Sequence, residues 1–67
     1  MNNIYNERLR IRQQAIKYLK TPISWENLQD LMEGVTGMSV PNDQYQLNWY
    51  YERFLKIHKE KLKLLKK

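Results

Sequence analysis

The residues of this chain best suited to chemistry lie in its last third. On a 3.6-residue wheel, Tyr45 and Trp49 sit one turn apart and outside the apolar arc. They share a face with Glu52, Arg53, Lys56, Lys63 and Lys67. Cations on such a face can grip phosphate while the rings stack or wedge against bases. Arg10 and Lys59 are further candidates for phosphate contact. Gln44, Gln46 and Asn48 carry paired amide donors and acceptors, the pattern that reads adenine. The same mixture of Trp, Tyr and Arg dominates binding energy at protein interfaces. Tyr45, Trp49 and Tyr50, aided by Arg53, are therefore also candidate anchors for a protein partner.

Catalysis finds little support. A nucleophile with its base and orienting group needs a His or Lys placed by a partner. The lone His58 falls on the apolar side of the same helix and reads as a packing histidine. The chain has no Cys, which excludes disulfides and Cys-ligated zinc or iron–sulfur sites. One His rules out the usual multi-histidine sites. There is no P-loop, no Rossmann glycine pattern and no HExxH. We expect a non-enzymatic protein with no cofactor, no metal and no small-molecule substrate.

Charge is segregated along the chain. Residues 1–20 carry Arg8, Arg10, Arg12, Lys17 and Lys20 against Glu7, a net +4. Residues 21–52 contain no Lys or Arg but hold Glu26, Asp30, Glu33, Asp43 and Glu52, a net −5. Residues 53–67 carry Arg53, Lys56, Lys59, Lys61, Lys63, Lys66 and Lys67 against Glu60, a net +6. Such a chain can neutralise part of its charge internally and still present a basic surface, which suits a binding role.

The elements that must position these residues are helices. At 67 residues the chain forms one domain, residues 1–67. We expect an all-α fold: a small three-helix domain with a long C-terminal helix, over about 3–20, 25–33 and 43–65. The first helix has two apolar stripes, Ile4, Ile11, Ala15 and Tyr18 beside Tyr5, Leu9, Ile16 and Leu19. Arg8 and Arg12 lie between them, an unusual place for arginine. Pairing with acids of the middle segment would explain it, and so would two stripes that face different partners. Thr21-Pro22 ends this helix. Ser24 caps the second, and Gly34 is the residue expected just past its C-terminus. Asn42 is the expected cap of the third. The expected core is Ile11, Ile16, Leu19, Trp25, Leu28, Leu31, Met32, Leu47, Tyr51, Phe54 and Leu55.

A helix-turn-helix reading of the second and third helices is disfavoured. The expected connection of about eight residues is longer than the motif's three or four, and the middle segment is acidic. The leading expectation is a nucleic-acid-binding regulatory or accessory protein. Its phosphate contacts are Arg10, Arg53, Lys56, Lys59 and Lys63, with Gln44, Gln46 and Asn48 as base readers. Small, basic, cysteine-free chains rich in Asn and Lys are of the kind that mobile elements such as phages encode. The alternative is an adaptor or inhibitor that masks a surface on a larger protein. Tyr51, Leu55, His58, Leu62 and Leu65 recur at heptad spacing. So short a chain with no covalent or metal staple gains from a second subunit, so we expect a homodimer with Leu62 and Leu65 at its interface. No apolar run is long enough to span a membrane and no signal-peptide core is present, so the expected location is cytoplasmic.

Overall fold

Side-chain caps and backbone constraints set the end of the first helix, both ends of the second and the start of the third. The computed structural model describes residues 3–65, and three helices follow one another: α1 (Ile4–Leu19), α2 (Trp25–Thr36) and α3 (Gln44–Leu65). There is no strand among the described residues. α1 ends at Lys20, which adopts a left-handed conformation (φ +59°) and donates its N–H to the Ile16 carbonyl at 2.8 Å. The Thr21-Pro22 pair beyond it prevents continuation. Ser24 caps α2 as expected, its hydroxyl accepting the Asn27 N–H at 3.2 Å.

Two boundaries differ from expectation. α2 runs through Gly34 and stops at Gly37, whose φ of +72° is the conformation that glycine adopts without strain. A mid-helix glycine costs only about 1 kcal/mol. The extra turn brings Val35 onto the core and Thr36 within reach of Tyr50, which favours continuation. The cap of α3 is Asp43 and not Asn42. The Asp43 carboxylate accepts the N–H groups of Tyr45 and Gln46 at 3.1 and 3.0 Å. Asn42 instead accepts a bond from the Arg8 guanidinium at 2.8 Å.

α1 and α3 run in the same direction. Arg8 meets Asn42, Glu7 and Arg10 meet Asn48, and Tyr18 meets His58, so position rises on both helices together. Residues 20–43, including α2, make the return between them. The core at their junction is Ile4, Ile11, Ala15, Leu28, Met32, Leu47, Tyr50, Tyr51 and Phe54. Of the others expected in it, Trp25, Leu31 and Leu55 are half-buried and packed against it, and Ile16 and Leu19 are half-buried on the second stripe of α1. The first stripe of α1 thus faces the core, and the second does not.

Tyr50 belongs to the core because its polar end is satisfied there. Its hydroxyl donates to the Met38 carbonyl at 2.8 Å and accepts from Thr36 at 3.0 Å. Thr36 in turn accepts the Met38 N–H at 3.2 Å. One phenol therefore ties α3 to the end of α2 and the loop after it. Burial pushes the phenol up from its ordinary pKa. Tyr51 is pushed up in the same way.

Candidate functional site

The aromatic–basic face of α3 lies opposite the buried one. Leu47, Tyr50, Tyr51 and Phe54 turn inward, which leaves Tyr45, Trp49, Arg53, Lys56 and Lys63 exposed on the far side. Trp49 is 56% exposed and Tyr45 75%, so neither is core. The Arg53 guanidinium lies 5.5 Å from the Trp49 ring centroid, a cation–π distance worth about 0.5–1 kcal/mol at the surface. Trp49 is one to two turns from Arg53 and Lys56, and Lys63 follows two turns later, roughly 10 Å further along the axis. Glu52 and Glu60 are exposed on the same half of the helix and dilute its charge. Lys67 lies outside the described residues.

The other candidates separate from this face. Arg10 is bonded to Glu7 at 2.6 Å, the one ion pair among the described residues, and also to the Asn48 side chain. The Asn48 amide donates to Glu7 in turn. Arg10's hydrogen bond holds the Glu7 carboxyl below the usual carboxylate range, against some desolvation. Arg10's charge and the Asn48 amide add to the pull. Arg10 and Asn48 are therefore committed to joining α1 and α3. Gln44 is half-buried and Gln46 exposed. At spacings of two residues the three amides point to different sides of the helix, so no shared reading edge forms. Lys59 is turned towards α1, its ammonium 5.7 Å from the Tyr18 ring.

Tyr50, expected as a surface anchor, is 2% exposed and cannot serve as one. It lines a hollow of about 360 Å³ together with Met38, Ser39, Pro41, Gln46 and Trp49. Leu62 and Leu65, expected at a subunit interface, are 40% and 80% exposed beyond the packed part of α3. His58 is a packing histidine, as its position led us to expect. It is half-buried, with Nδ1 2.7 Å from the Tyr18 hydroxyl and its ring 5.4 Å from Phe54. The connection between α2 and α3 is residues 37–43, longer than a helix-turn-helix turn.

Among the described residues, Arg8 and Arg12 do not pair with acids. Arg12 donates from Nε to the Ile23 carbonyl at 2.8 Å. Arg8 bonds to Asn42 and lies 5.7 Å from the Trp25 ring centroid. Its Nε is buried with no partner among the described residues. The two arginines border a groove with Tyr5, Leu9, Ser24 and Trp25, a feature absent from the sequence-level candidates. The available signal was the placement of two arginines between two apolar stripes.

No protein-family model, no curated protein and no solved structure matches the chain. The functional reading therefore rests on the geometry of its own surfaces. No helix among the described residues is long and apolar enough to cross a membrane.

Proposed function

We propose that this chain is a non-enzymatic nucleic-acid-binding accessory or regulatory protein that acts through the outer face of α3. The observation that carries this reading is the exposed Trp49 ring, with Arg53 across it and lysines further along the same helix. An exposed ring can stack on any base, worth about 1–3 kcal/mol per base. Lys56, Lys63 and Arg53 would hold phosphates as the strand follows the helix. With Asn48 held by α1 and Gln44 half-buried, only Gln46 remains free to read a base. Binding of this kind is driven by charge and stacking, with little sequence preference.

The test uses Trp25→Phe, which leaves Trp49 as the sole tryptophan. A single-stranded oligonucleotide should quench it, and affinity should fall with salt at a log–log slope of about −0.7 per phosphate contact, or about −0.9 for duplex. No binding to single strands, duplex DNA or RNA at low salt ends the proposal.

A second reading has its own observation. The hollow beside Trp49 is flanked by the exposed Met38 and by Pro41, and a protein partner could seat a side chain there. In this reading the chain is an adaptor or inhibitor, with Tyr45, Trp49 and Arg53 as anchors. A stoichiometric protein partner that survives nuclease treatment, together with the absence of oligonucleotide binding, favours it. In either reading we propose a homodimer in which a second copy covers Leu62 and Leu65. The lysines beside them favour a crossed or antiparallel pair.

A further inference from the structure

Tyr5, Arg8, Leu9, Arg12, Ser24 and Trp25 form an open groove of about 320 Å³ between α1 and the start of α2. None of the six belongs to α3, so the groove is separate from the face discussed above. Its walls are apolar: Tyr5 is 67% exposed and Leu9 41%, with the half-buried Trp25 beside them. Its charge is wholly positive. No acid lines it, and neither Arg8 nor Arg12 has a carboxylate partner among the described residues. Arg8 also keeps a buried Nε–H with no acceptor among the described residues, an arrangement that is costly to leave unmet. The groove opens at the N-terminus of α2, where the exposed Glu26 of the first turn offsets the positive end of the helix dipole and leaves the two arginines as the charge that lines it.

We propose that this groove docks a short acidic segment of a partner protein. One apolar side chain of the segment lies between Tyr5, Leu9 and Trp25, and a neighbouring carboxylate meets Arg8 and Arg12. Charge complementarity selects the acid, and the exposed walls select the apolar residue next to it. A nucleic-acid backbone fits less well. Phosphates recur along a ridge and are met by cations that stand clear of the surface, as Lys56 and Lys63 do. Arg8 and Arg12 are half-buried and held down, one by Asn42 and the other by the Ile23 carbonyl. A second copy also fits poorly, because its exposed Leu62, Leu64 and Leu65 are set among lysines that the arginines repel. The proposal stands whether or not α3 binds nucleic acid.

The experiment uses the full chain carrying Trp49→Phe, which makes Trp25 in the groove the lone tryptophan. The probe is the peptide acetyl-Glu-Asp-Leu-Phe-Glu-Asp-amide, with its lysine-for-acid counterpart as the control. Trp25 fluorescence should change saturably with the acidic peptide and not with the lysine peptide. Leu9→Asp, at an exposed position and with its fold checked by circular dichroism, should weaken binding about tenfold by placing like charge at the site. Arg12→Gln should weaken it to a similar degree, and Lys63→Gln should leave it unchanged. No saturation, equal binding of the lysine peptide, or indifference to Leu9→Asp overturns the proposal. So does an oligonucleotide that displaces the peptide from the groove, which would assign it to nucleic acid. A Trp25 signal that depends on protein concentration alone and is lost in Leu9→Asp would assign it to a second copy.

Discussion

The two ends of α3 belong to one helix with one alternation of apolar and charged residues, yet their fates differ. The N-terminal part buries Leu47, Tyr50, Tyr51 and Phe54, and His58 still packs on Tyr18. From Lys59 to Leu65 every residue is exposed, Leu62, Leu64 and Leu65 among them. The cause lies in the neighbours. α3 has 22 residues where α1 has 16 and α2 has 12, so the helices that cover it run out first. The last tether is Lys61, which reaches the Val35 carbonyl at 3.4 Å. An apolar stripe tells which face of a helix would be covered. Whether it is covered depends on the length and placement of other elements.

The sharpest way to break this comparison is to remove an apolar side chain from each part. Phe54→Ala should cost about 3–5 kcal/mol, enough to unfold most of a domain this small. Leu64→Ala, outside the proposed subunit interface, should stay within about 0.5 kcal/mol. Urea denaturation of the two variants checks both, and similar midpoints would show that the tail is packed in solution.

A smaller effect is expected at the Tyr50 hydroxyl. Tyr50→Phe should cost about 1 kcal/mol by removing its bonds to Met38 and Thr36. Because burial raises the Tyr50 and Tyr51 phenols in the folded state, that contribution is complete below the ordinary tyrosine value. It is lost as pH rises from about 10 through the folded values. Tyrosinate absorbance should therefore lag behind free tyrosine until the helical signal collapses.

The basic end of α3 yields a smaller change, read through binding. Replacing Lys56 or Lys63 with Gln should flatten the salt dependence of oligonucleotide affinity by about one contact each, with no loss of stability. An unchanged slope would place the phosphates elsewhere. Assembly tests the tail directly: light scattering should return about twice the 8.3 kDa chain mass, and Leu62→Asp should reduce it to one chain. A single-chain mass without the substitution would mean that the tail is simply solvated.

The smallest effect belongs to the opposite end of the bundle. Glu7, Arg10 and Asn48 clasp α1 to α3 at the surface, where such pairs contribute less than about 1 kcal/mol. The Glu7 carboxyl is lowered in the folded state, so its share is present above about pH 4 and is lost as pH falls through the folded value. Glu7→Gln should remove that part of the acid dependence and change little at neutral pH.

Local patterns made much of this molecule legible. Three helices could be read from the apolar spacing, the Thr21-Pro22 stop and the Ser24 cap, because these depend on a few adjacent residues. The buried stripe of α3 was legible for the same reason, with the exception of Tyr50. A tyrosine next to Trp49 looks like a surface anchor until Thr36 and the Met38 carbonyl arrive to satisfy its hydroxyl. The end of α2 is not legible in the same way: Gly34 and Gly37 are chemically identical, and only the packing of Val35 and the Thr36–Tyr50 bond chooses between them.

The sequence by itself determined what depends on neighbours along the chain: the helical class, the charge blocks, the lack of cysteine, and the exposure of Tyr45 relative to the apolar arc. Tertiary structure alone decided the parallel course of α1 and α3, the capture of Asn48 by Arg10 and Glu7, and the groove at Arg8 and Arg12. These pair residues about 10 to 40 positions apart. Periodicity sets which side of a helix a residue occupies, but it does not say which other helix arrives there, in which direction, or where that helix ends.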